Sequence, residues 1–301
     1  MFENVLVGVD GRPNGRDAIA LAARLTDPHG RLTLVHVHGG ELNPMHAITP
    51  GLVAEERDAC MKLLEREREA AEVSAELLGV VAMSPGGGLH QQAEELGADL
   101  LVVGSCSHGA FGRVMLGDDT RAALNGAPCA AAIAVRGYSE HPTPIARIGV
   151  GYDGSPESRA ALAAARRLAE PTRAAVRALE VVSIPTYAYT GLMPPAIGES
   201  IDAMLKAASA RMRALGDDVE GHAVYGLTGE ELAAFGDEVD LLVVGSRSYG
   251  PVRRMMLGST SDYLERHARC SLLVLPRLAV EATGAGGEDG LQGAAPVSAT
   301  A

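Results

Sequence analysis

Two glycine–serine loops are the residues of this sequence whose types and spacing suit phosphate chemistry. Gly104 and Gly245 each end an apolar run and are each followed by a serine, and a further glycine comes at the same distance downstream, at Gly117 and Gly258. Glycine lets backbone N–H groups approach an anion closely, and a helix N-terminus adds further donors and a favourable dipole. The pattern predicts a site that holds phosphate groups through the backbone.

An aspartate stands at the end of the first strand expected upstream of each loop, at Asp10 and Asp153. In a doubly wound parallel sheet, ligands bind beyond the carboxyl ends of the strands, where the strand order reverses. If strands one and four are neighbours, each aspartate faces its glycine loop across one crevice and can accept hydrogen bonds from a base or a sugar. The combination predicts a pocket for an adenosine phosphate. The alternative is that the glycines only make tight turns.

These features occur twice because the chain is an internal duplication. The segment Asp99–Ser105 recurs letter for letter as Asp240–Ser246, and the register then holds as far as Cys129 and Cys270. Each copy alternates strand and helix patterns, which predicts an α/β fold with a parallel sheet covered by helices on both faces. We expect a first copy over residues 1–138, a second over 144–277, and a disordered tail over 278–301.

Within the first copy, the clearest helix pattern runs from Leu52 to Leu78, with apolar residues at helical spacing and charges between them. The third strand is then expected near Val80–Met83, and Gly86–Gly88 is interpreted as a plain turn before the next helix. The proline-containing stretch Tyr138–Ala146 is interpreted as the linker between the copies.

Composition excludes several classes of function. The net charge of −12 repels phosphate backbones and anionic membranes, and the absence of tryptophan argues against base-stacking platforms. The longest apolar stretch, Ala127–Val135, is too short to span a bilayer. The lysines Lys62 and Lys206 do not follow glycine, so a Walker-type phosphate loop is excluded. The lack of a signal-peptide pattern and of any CxxC pair predicts a cytoplasmic protein.

With both loops in view, the chain resembles the universal stress protein family, whose nucleotide-binding members carry G-x2-G-x9-G-[ST]. The resemblance covers Phe2–Arg277, twice over. It implies two open five-stranded sheets of order 3-2-1-4-5, of the adenine nucleotide α-hydrolase-like type, and ATP, with or without Mg²⁺, as the cofactor. The binding residues that it implies in the second copy are Asp153, Val181, Gly245, Ser248, Gly258, Ser259, Thr260 and Ser261. In the first copy they are Asp10, Val37, Gly104 and Gly117.

Both copies depart from the family pattern. The second glycine of the motif is Ser107 in one copy and Ser248 in the other. The first copy also has Asp118 where the second has Ser259, and a carboxylate there would repel phosphate oxygens even at a favourable helix N-terminus. The second copy is therefore expected to be the binding site, and the first to be degenerate.

The hypothesis from sequence is a stress-response regulator that binds an adenine nucleotide. No catalytic residue is assigned because no general base or nucleophile–histidine pair stands beside the loops. No metal site is assigned, since His36 and His38 lack matching ligands. The alternatives are a nucleotide-free interaction module, with an unknown protein partner, and a weak ATP hydrolase. The uncharged last strands, Ala130–Val135 and Ser271–Leu275, predict an intramolecular pseudo-dimer in which they pair antiparallel, with further homo-oligomers left open.

Overall fold

The computed structural model describes residues 1–40, 51–105, 118–183, 195–246 and 258–276, and the two copies follow the same order of elements. The strands are β1 Phe2–Gly8, β2 Thr26–His38, β3 Glu76–Val81, β4 Leu100–Gly104, β5 Ala130–Ala134, β6 Arg147–Gly151, β7 Ala175–Val182, β8 Val219–Tyr225, β9 Leu241–Gly245 and β10 Ser271–Leu275. The helices are α1 Pro13–Leu25, α2 Leu52–Ala70, α3 Pro85–Glu95, α4 Asp118–Leu124, α5 Pro156–Thr172, α6 Pro195–Arg213, α7 Thr228–Phe235 and α8 Ser259–His267.

The strands form one ten-stranded sheet of order β3-β2-β1-β4-β5-β10-β9-β6-β7-β8. Each copy contributes five neighbouring strands, which pair parallel within the copy in the predicted order 3-2-1-4-5. Strand one is the neighbour of strand four in both copies, with Val7 paired to Val102 and Val150 to Val243. The carboxyl ends of these strands therefore bound one crevice in each copy, as the sequence predicts.

Both faces of the sheet are buried, which explains why the central strands are almost wholly apolar. Along β1, Val5 and Val7 belong to the hydrophobic cluster that includes residues of α1 and α5, whereas Leu6 belongs to the cluster that includes Leu89 and Leu232 of α3 and α7. Alternate residues of one strand thus serve two separate cores.

The second helix of the first copy is shorter than its apolar spacing predicts. It ends at Ala70, and Leu77 and Leu78 lie on β3 instead. Glu72 adopts a φ of 52°, a left-handed conformation that the helix cannot continue through. The third strand consequently starts at Glu76, earlier than predicted.

The glycine run Gly86–Gly88 is also placed differently from its prediction, because it lies inside the first turn of α3 rather than before the helix. Ser84 caps that helix, its Oγ accepting a hydrogen bond from the Gly87 N–H at 3.3 Å. Gly86 packs against the backbone of Ala122 on α4, where a β-carbon would lie 2.7 Å from the carbonyl carbon. Close packing of the two helices therefore explains the glycine.

The two copies meet through β5 and β10, which pair antiparallel at Ile133–Leu272, Ala132–Leu273 and Ala131–Val274. The predicted adjacency of the two last strands is present. The Oγ of Ser271 adds a contact between the copies by accepting a hydrogen bond from the Val135 N–H at 3.2 Å. The interface therefore continues the sheet from one copy into the other.

The segment between the copies is anchored to α1. The buried carboxylate of Asp17 accepts hydrogen bonds from the N–H groups of Gly137 and Ser139, both at 2.8 Å, and from the Ser139 hydroxyl at 2.6 Å. Tyr138 is buried beside these contacts. The start of the linker is thus packed against the first copy.

The aspartate that opens each repeated segment has a structural role. Asp99 accepts hydrogen bonds from the N–H groups of Glu3 and Asn4, at 2.8 and 3.0 Å. Asp240 does the same for Ala146 and Arg147, at 3.0 and 2.8 Å. These carboxylates hold the start of strand one against strand four, so the repetition of this residue needs no ligand to explain it.

Candidate functional site

The second-copy crevice lies between the carboxyl ends of β6, β7 and β9 and the first turns of α5, α7 and α8, and it encloses about 180 Å³. The structure brings together seven of the eight residues predicted for this copy: Asp153, Val181, Gly245, Gly258, Ser259, Thr260 and Ser261. The eighth, Ser248, lies outside the described residues. The crevice at the strand-order reversal is thus the place where the predicted residues converge.

Asp153 supports the turn that leads from β6 into α5. Its Oδ1 accepts a hydrogen bond from the Ser155 N–H at 3.0 Å, and Gly154 between them has a φ of 78°. The first copy repeats this geometry, with Asp10 Oδ1 accepting from the Arg12 N–H at 3.0 Å and Gly11 at 74°. One oxygen of each aspartate therefore holds a left-handed turn that favours glycine. Both side chains also line their crevices.

The glycine that closes strand four makes a tight contact with a helix. A β-carbon on Gly245 would lie 2.7 Å from the β-carbon of Glu157, in the first turn of α5. At Gly104 a β-carbon would meet the backbone carbonyl of Asn14 and lie 2.9 Å from its β-carbon. Packing of the helix start against the strand end thus demands glycine in both copies, independently of any ligand.

The first turn of α8 provides the anion-binding feature of the second-copy crevice. Gly258 is its N-cap, in an extended conformation with no side chain to cap the helix, and the Asp262 N–H makes the turn's hydrogen bond to the Gly258 carbonyl at 2.9 Å. The N–H groups of Ser259, Thr260 and Ser261 come before that bond and are the donors that an α-helix leaves without an intrahelical acceptor. Such groups, with the helix dipole, favour phosphate.

Hydroxyl groups dominate the polar lining of the second-copy crevice. Besides the three of α8, four come from other strand ends and helix starts that the sequence interpretation missed: Ser155, Ser158, Ser183 and Thr228. Ser155 caps α5, its Oγ accepting from the Ser158 N–H at 3.2 Å. The Ser-Pro sequence directly after Gly154 is the signal of a helix start that could have identified it.

The charged groups described in this lining are the carboxylates of Asp153 and Glu157, and Tyr152 adds a phenol hydroxyl. Glu157 was also missed, because its position in the first turn of α5 has an ordinary explanation as a favourable helix-start charge. Arginine or lysine is not among the described residues that line this crevice. The groups of the described lining that could bind phosphate are therefore backbone N–H groups and hydroxyls.

The first-copy crevice is smaller, at about 120 Å³, and more apolar. Three of the four predicted residues, Asp10, Val37 and Gly104, line it, and Gly117 lies outside the described residues. Thr120 is the hydroxyl-bearing residue among its described lining, and its Oγ1 donates to the Gly104 carbonyl at 3.3 Å. His36 also lines it, with Nδ1 2.7 Å from the Val9 carbonyl oxygen.

The serines directly after the two loop glycines carry buried hydroxyls. Ser105 and Ser246 are fully buried, and neither Oγ has a hydrogen-bond partner in the described part of the chain. Their backbone N–H groups bond the last strands instead, at Ala134 and Leu275. Since the feature is identical in both copies, it does not distinguish one crevice from the other.

Among the described residues outside these crevices, cysteines and histidines do not form a reactive or metal-binding site. Burial raises the pKa of the Cys129 and Cys270 thiols to about 12, so both stay protonated and unreactive. His38 lies 3.7 Å from the Glu56 carboxylate. In the ranges that the structure describes, no group of three or more His, Cys, Asp or Glu residues has a geometry that could hold a metal ion.

Comparison with known proteins identifies the family. The sequence profile of the universal stress protein family matches residues 1–135 and again 144–276. A universal stress protein of Mycobacterium tuberculosis is 28% identical over 207 residues, which are 63% of this chain and 68% of that protein. Among the helices that the structure describes, none has the length and apolar character needed to cross a membrane.

Solved structures support the same fold. A universal stress protein from Archaeoglobus fulgidus superposes with a TM-score of 0.61 at 19% identity, covering 91% of this chain and 98% of its own. One from Pseudomonas aeruginosa gives 0.59 at 17%, covering 93% and 96%. With both halves of the sequence matched by the family profile, the chain belongs to the universal stress protein family and carries two copies of its domain in tandem.

Proposed function

We propose that this protein binds an adenine nucleotide, ATP first among them, in the second-copy crevice, and acts in the cytoplasm as a stress-response regulator. The observation that carries the proposal is the start of α8, where three successive N–H donors and three hydroxyls share one crevice with Asp153. A nucleotide needs both halves of this arrangement, an anion site for its phosphates and an acceptor for its sugar or base.

The residues divide between the two ends of the ligand. Asp153 and Val181 would face the adenosine, and Gly245 would lie by the ribose and the first phosphate. Gly258 and Ser259 would hold the remaining phosphates through backbone and hydroxyl donors, with Thr260 and Ser261 beside them. Ser248 would add a hydroxyl donor for the phosphates.

Mg²⁺ would suit this site, because Asp153, Glu157 and the hydroxyls offer the oxygen ligands that the ion prefers. The ion would also offset the repulsion between these carboxylates and the phosphates. The role of the protein is binding, and the two-copy pseudo-dimer would present one competent and one degenerate crevice to partner proteins.

Ser259→Asp is the sharpest test of this placement, because it copies Asp118 of the first copy into the second. Losing a contact to phosphate and adding a like charge should weaken ATP binding at least about tenfold in calorimetric titration. Ser74→Asp adds the same charge at the exposed turn between α2 and β3 and should leave affinity unchanged. Equal affinity of Ser259→Asp and the unmodified protein would overturn the placement of the phosphates.

Mass spectrometry of ligand released from freshly purified protein separates the other candidate functions. Released adenine nucleotide supports the proposal. If no nucleotide copurifies and ATP gives no heat of binding, the protein is a nucleotide-free interaction module of the same fold. A weak hydrolase would require turnover of bound ATP that is lost when one named carboxylate, Asp153 or Glu157, is replaced by its amide.

A further inference from the structure

The helix that starts at the phosphate site carries a buried carboxylate at its other end. Glu265, on α8, is 1% exposed, and neither of its carboxylate oxygens has a hydrogen-bond partner in the part of the chain that the structure describes. In the register that aligns Asp118 with Ser259, its counterpart on α4 is Leu124, which is fully buried in an apolar cluster. The second copy thus places an ionisable group where the first has a plain core residue.

An arginine from the other copy lies against this carboxylate. Arg121 of α4 is 3.6 Å from Glu265 Oε2 through Nη2, and 3.3 Å from Asp262 Oδ1 through Nη1. Asp262 is also paired with Arg266 on its own helix, at 2.7 Å. Arg121 and Asp262 are each somewhat more than a third exposed, whereas Glu265 is buried. The contact therefore joins the two helices that follow the glycine loops of the two copies.

Other charged groups on neighbouring elements are engaged elsewhere or stand at a helix start. On α7, which packs along α8, Glu230 and Glu231 belong to the first turn. Asp237, in the turn after α7, pairs with Arg269 at 3.3 Å. On α3, which packs on α4, the buried His90 has Nε2 2.6 Å from the Ala123 carbonyl oxygen. Arg121, Asp262 and Arg266 are the charges that act on Glu265.

We propose that Glu265 is a positioning residue whose protonation state sets how firmly α8, and with it the phosphate site at Ser259–Ser261, is held against α4 of the first copy. This inference rests on the proposed function for its consequence, tighter nucleotide binding. When protonated, the carboxyl group is neutral and suits its buried position on α8. When ionised, it becomes a buried charge without a hydrogen-bond partner among the described residues, and Arg121, 3.6 Å away, offsets only part of the cost, so α8 is held less firmly.

The proton is exchanged in the neutral range. Burial raises the pKa of Glu265 to about 7, while Arg121 opposes the shift and Asp262 reinforces it. A change from pH 6 to pH 8 therefore moves the group from mostly protonated to mostly ionised, which is the condition for a pH-dependent contact.

Amide hydrogen exchange at Ser259–Ser261 tests this without any ligand, using the full chain and Glu265→Gln, which keeps the shape and stays neutral. Protection in the unmodified protein relative to Glu265→Gln should fall about threefold between pH 6 and pH 8, because ionisation of a buried carboxyl with a raised pKa destabilises the packed position of α8. Taking the ratio at each pH removes the intrinsic pH dependence of exchange. Arg121→Gln should deepen the fall, because it removes the positive charge that partly offsets the buried carboxylate.

ATP titration of the same proteins at the same pH values connects the contact to binding. The affinity ratio of unmodified protein to Glu265→Gln should also fall about threefold between pH 6 and pH 8, and the ratio cancels the ionisation of the phosphates themselves. A protection ratio that stays constant or rises with pH overturns the inference whatever ATP does. A protection ratio that falls in a protein with no ATP binding at any pH leaves the positioning role standing and overturns the proposed function. If Glu265→Gln fails to fold, Glu265→Leu, which copies Leu124, replaces it.

Discussion

The two crevices of this protein share a scaffold and differ in their lining. Both have an aspartate that supports the first β–α turn and a glycine packed against the following helix. Seven hydroxyl-bearing Ser and Thr residues line the second-copy crevice, whereas the described lining of the first has one, Thr120. The residues that repeat between the copies are those that the fold requires. The residues that differ are therefore the better indicators of binding.

The helices α4 and α8, which begin at the two crevices, also differ in a way that favours anion binding in the second copy. In the second copy α8 has nine residues and an open first turn of Ser259, Thr260 and Ser261, whereas α4 has seven residues and begins with Asp118. A shorter helix with an acidic start offers a weaker anion site. Four sets of substitutions test this difference between the copies, with expected effects that decrease from the first to the last.

Alanine substitution of Gly104 and Gly245 tests whether these glycines are required by the fold in both copies. Gly104→Ala should lower the free energy of unfolding by about 3 kcal/mol, and Gly245→Ala by about 2 kcal/mol, because each new β-carbon is forced against the first turn of a helix. Urea denaturation measures both. Gly51→Ala, where a β-carbon meets open space, should change stability by less than about 0.5 kcal/mol. Losses no larger than that control would mean that the glycines serve only a ligand.

Glu265→Leu makes α8 resemble α4 and should remove a pH dependence of stability. Because the folded-state pKa of about 7 lies above the ordinary 4.5, this carboxyl stabilises the fold fully below about pH 4.5, and that contribution is lost as the pH rises through 7. Unmodified protein should therefore lose on the order of 3 kcal/mol relative to Glu265→Leu between pH 4.5 and pH 8. Denaturation at several pH values measures this, and parallel profiles for the two proteins would contradict it.

Asp118→Ser tests whether the acidic helix start alone makes the first copy degenerate. In a Ser259→Asp background, where the second-copy crevice is disabled, the change should raise ATP affinity about fivefold, since a repelling charge is replaced by a donor. Calorimetry measures it. No gain would show that the missing hydroxyls, rather than the charge, close the first-copy crevice.

Glu157→Asn gives the second-copy crevice the residue of the first, Asn14. In Mg²⁺-free buffer, removing a half-buried carboxylate beside Gly245 should raise the ATP affinity measured by calorimetric titration two- to threefold, about the size of one partly screened charge interaction. Glu157→Asp keeps the charge and serves as the control. A drop in affinity that Mg²⁺ concentration modulates would instead assign Glu157 to the ion.

Much of the architecture could be predicted from the sequence because it depends on short, repeated patterns. The duplication, the parallel sheets and the positions of Asp10, Asp153, Gly104 and Gly245 at strand ends follow from apolar runs closed by turn residues. The uncharged last strands likewise predicted the β5–β10 pairing, since an apolar edge needs a partner. The helix α2 was misjudged at its end because apolar spacing continued past Ala70, while the left-handed Glu72 stopped the helix.

The family, the fold and the residues whose identity depends on the local backbone thus follow from the amino-acid sequence. The set of distant helix starts that contribute to a crevice does not, because Ser155, Thr228 and Ser259 lie on separate helices and meet through the strand order alone. The state of Glu265 also depends on the tertiary structure. A glutamate near the end of a short helix is expected to be solvated, but this one is buried, and Arg121 of the other copy lies 3.6 Å from it.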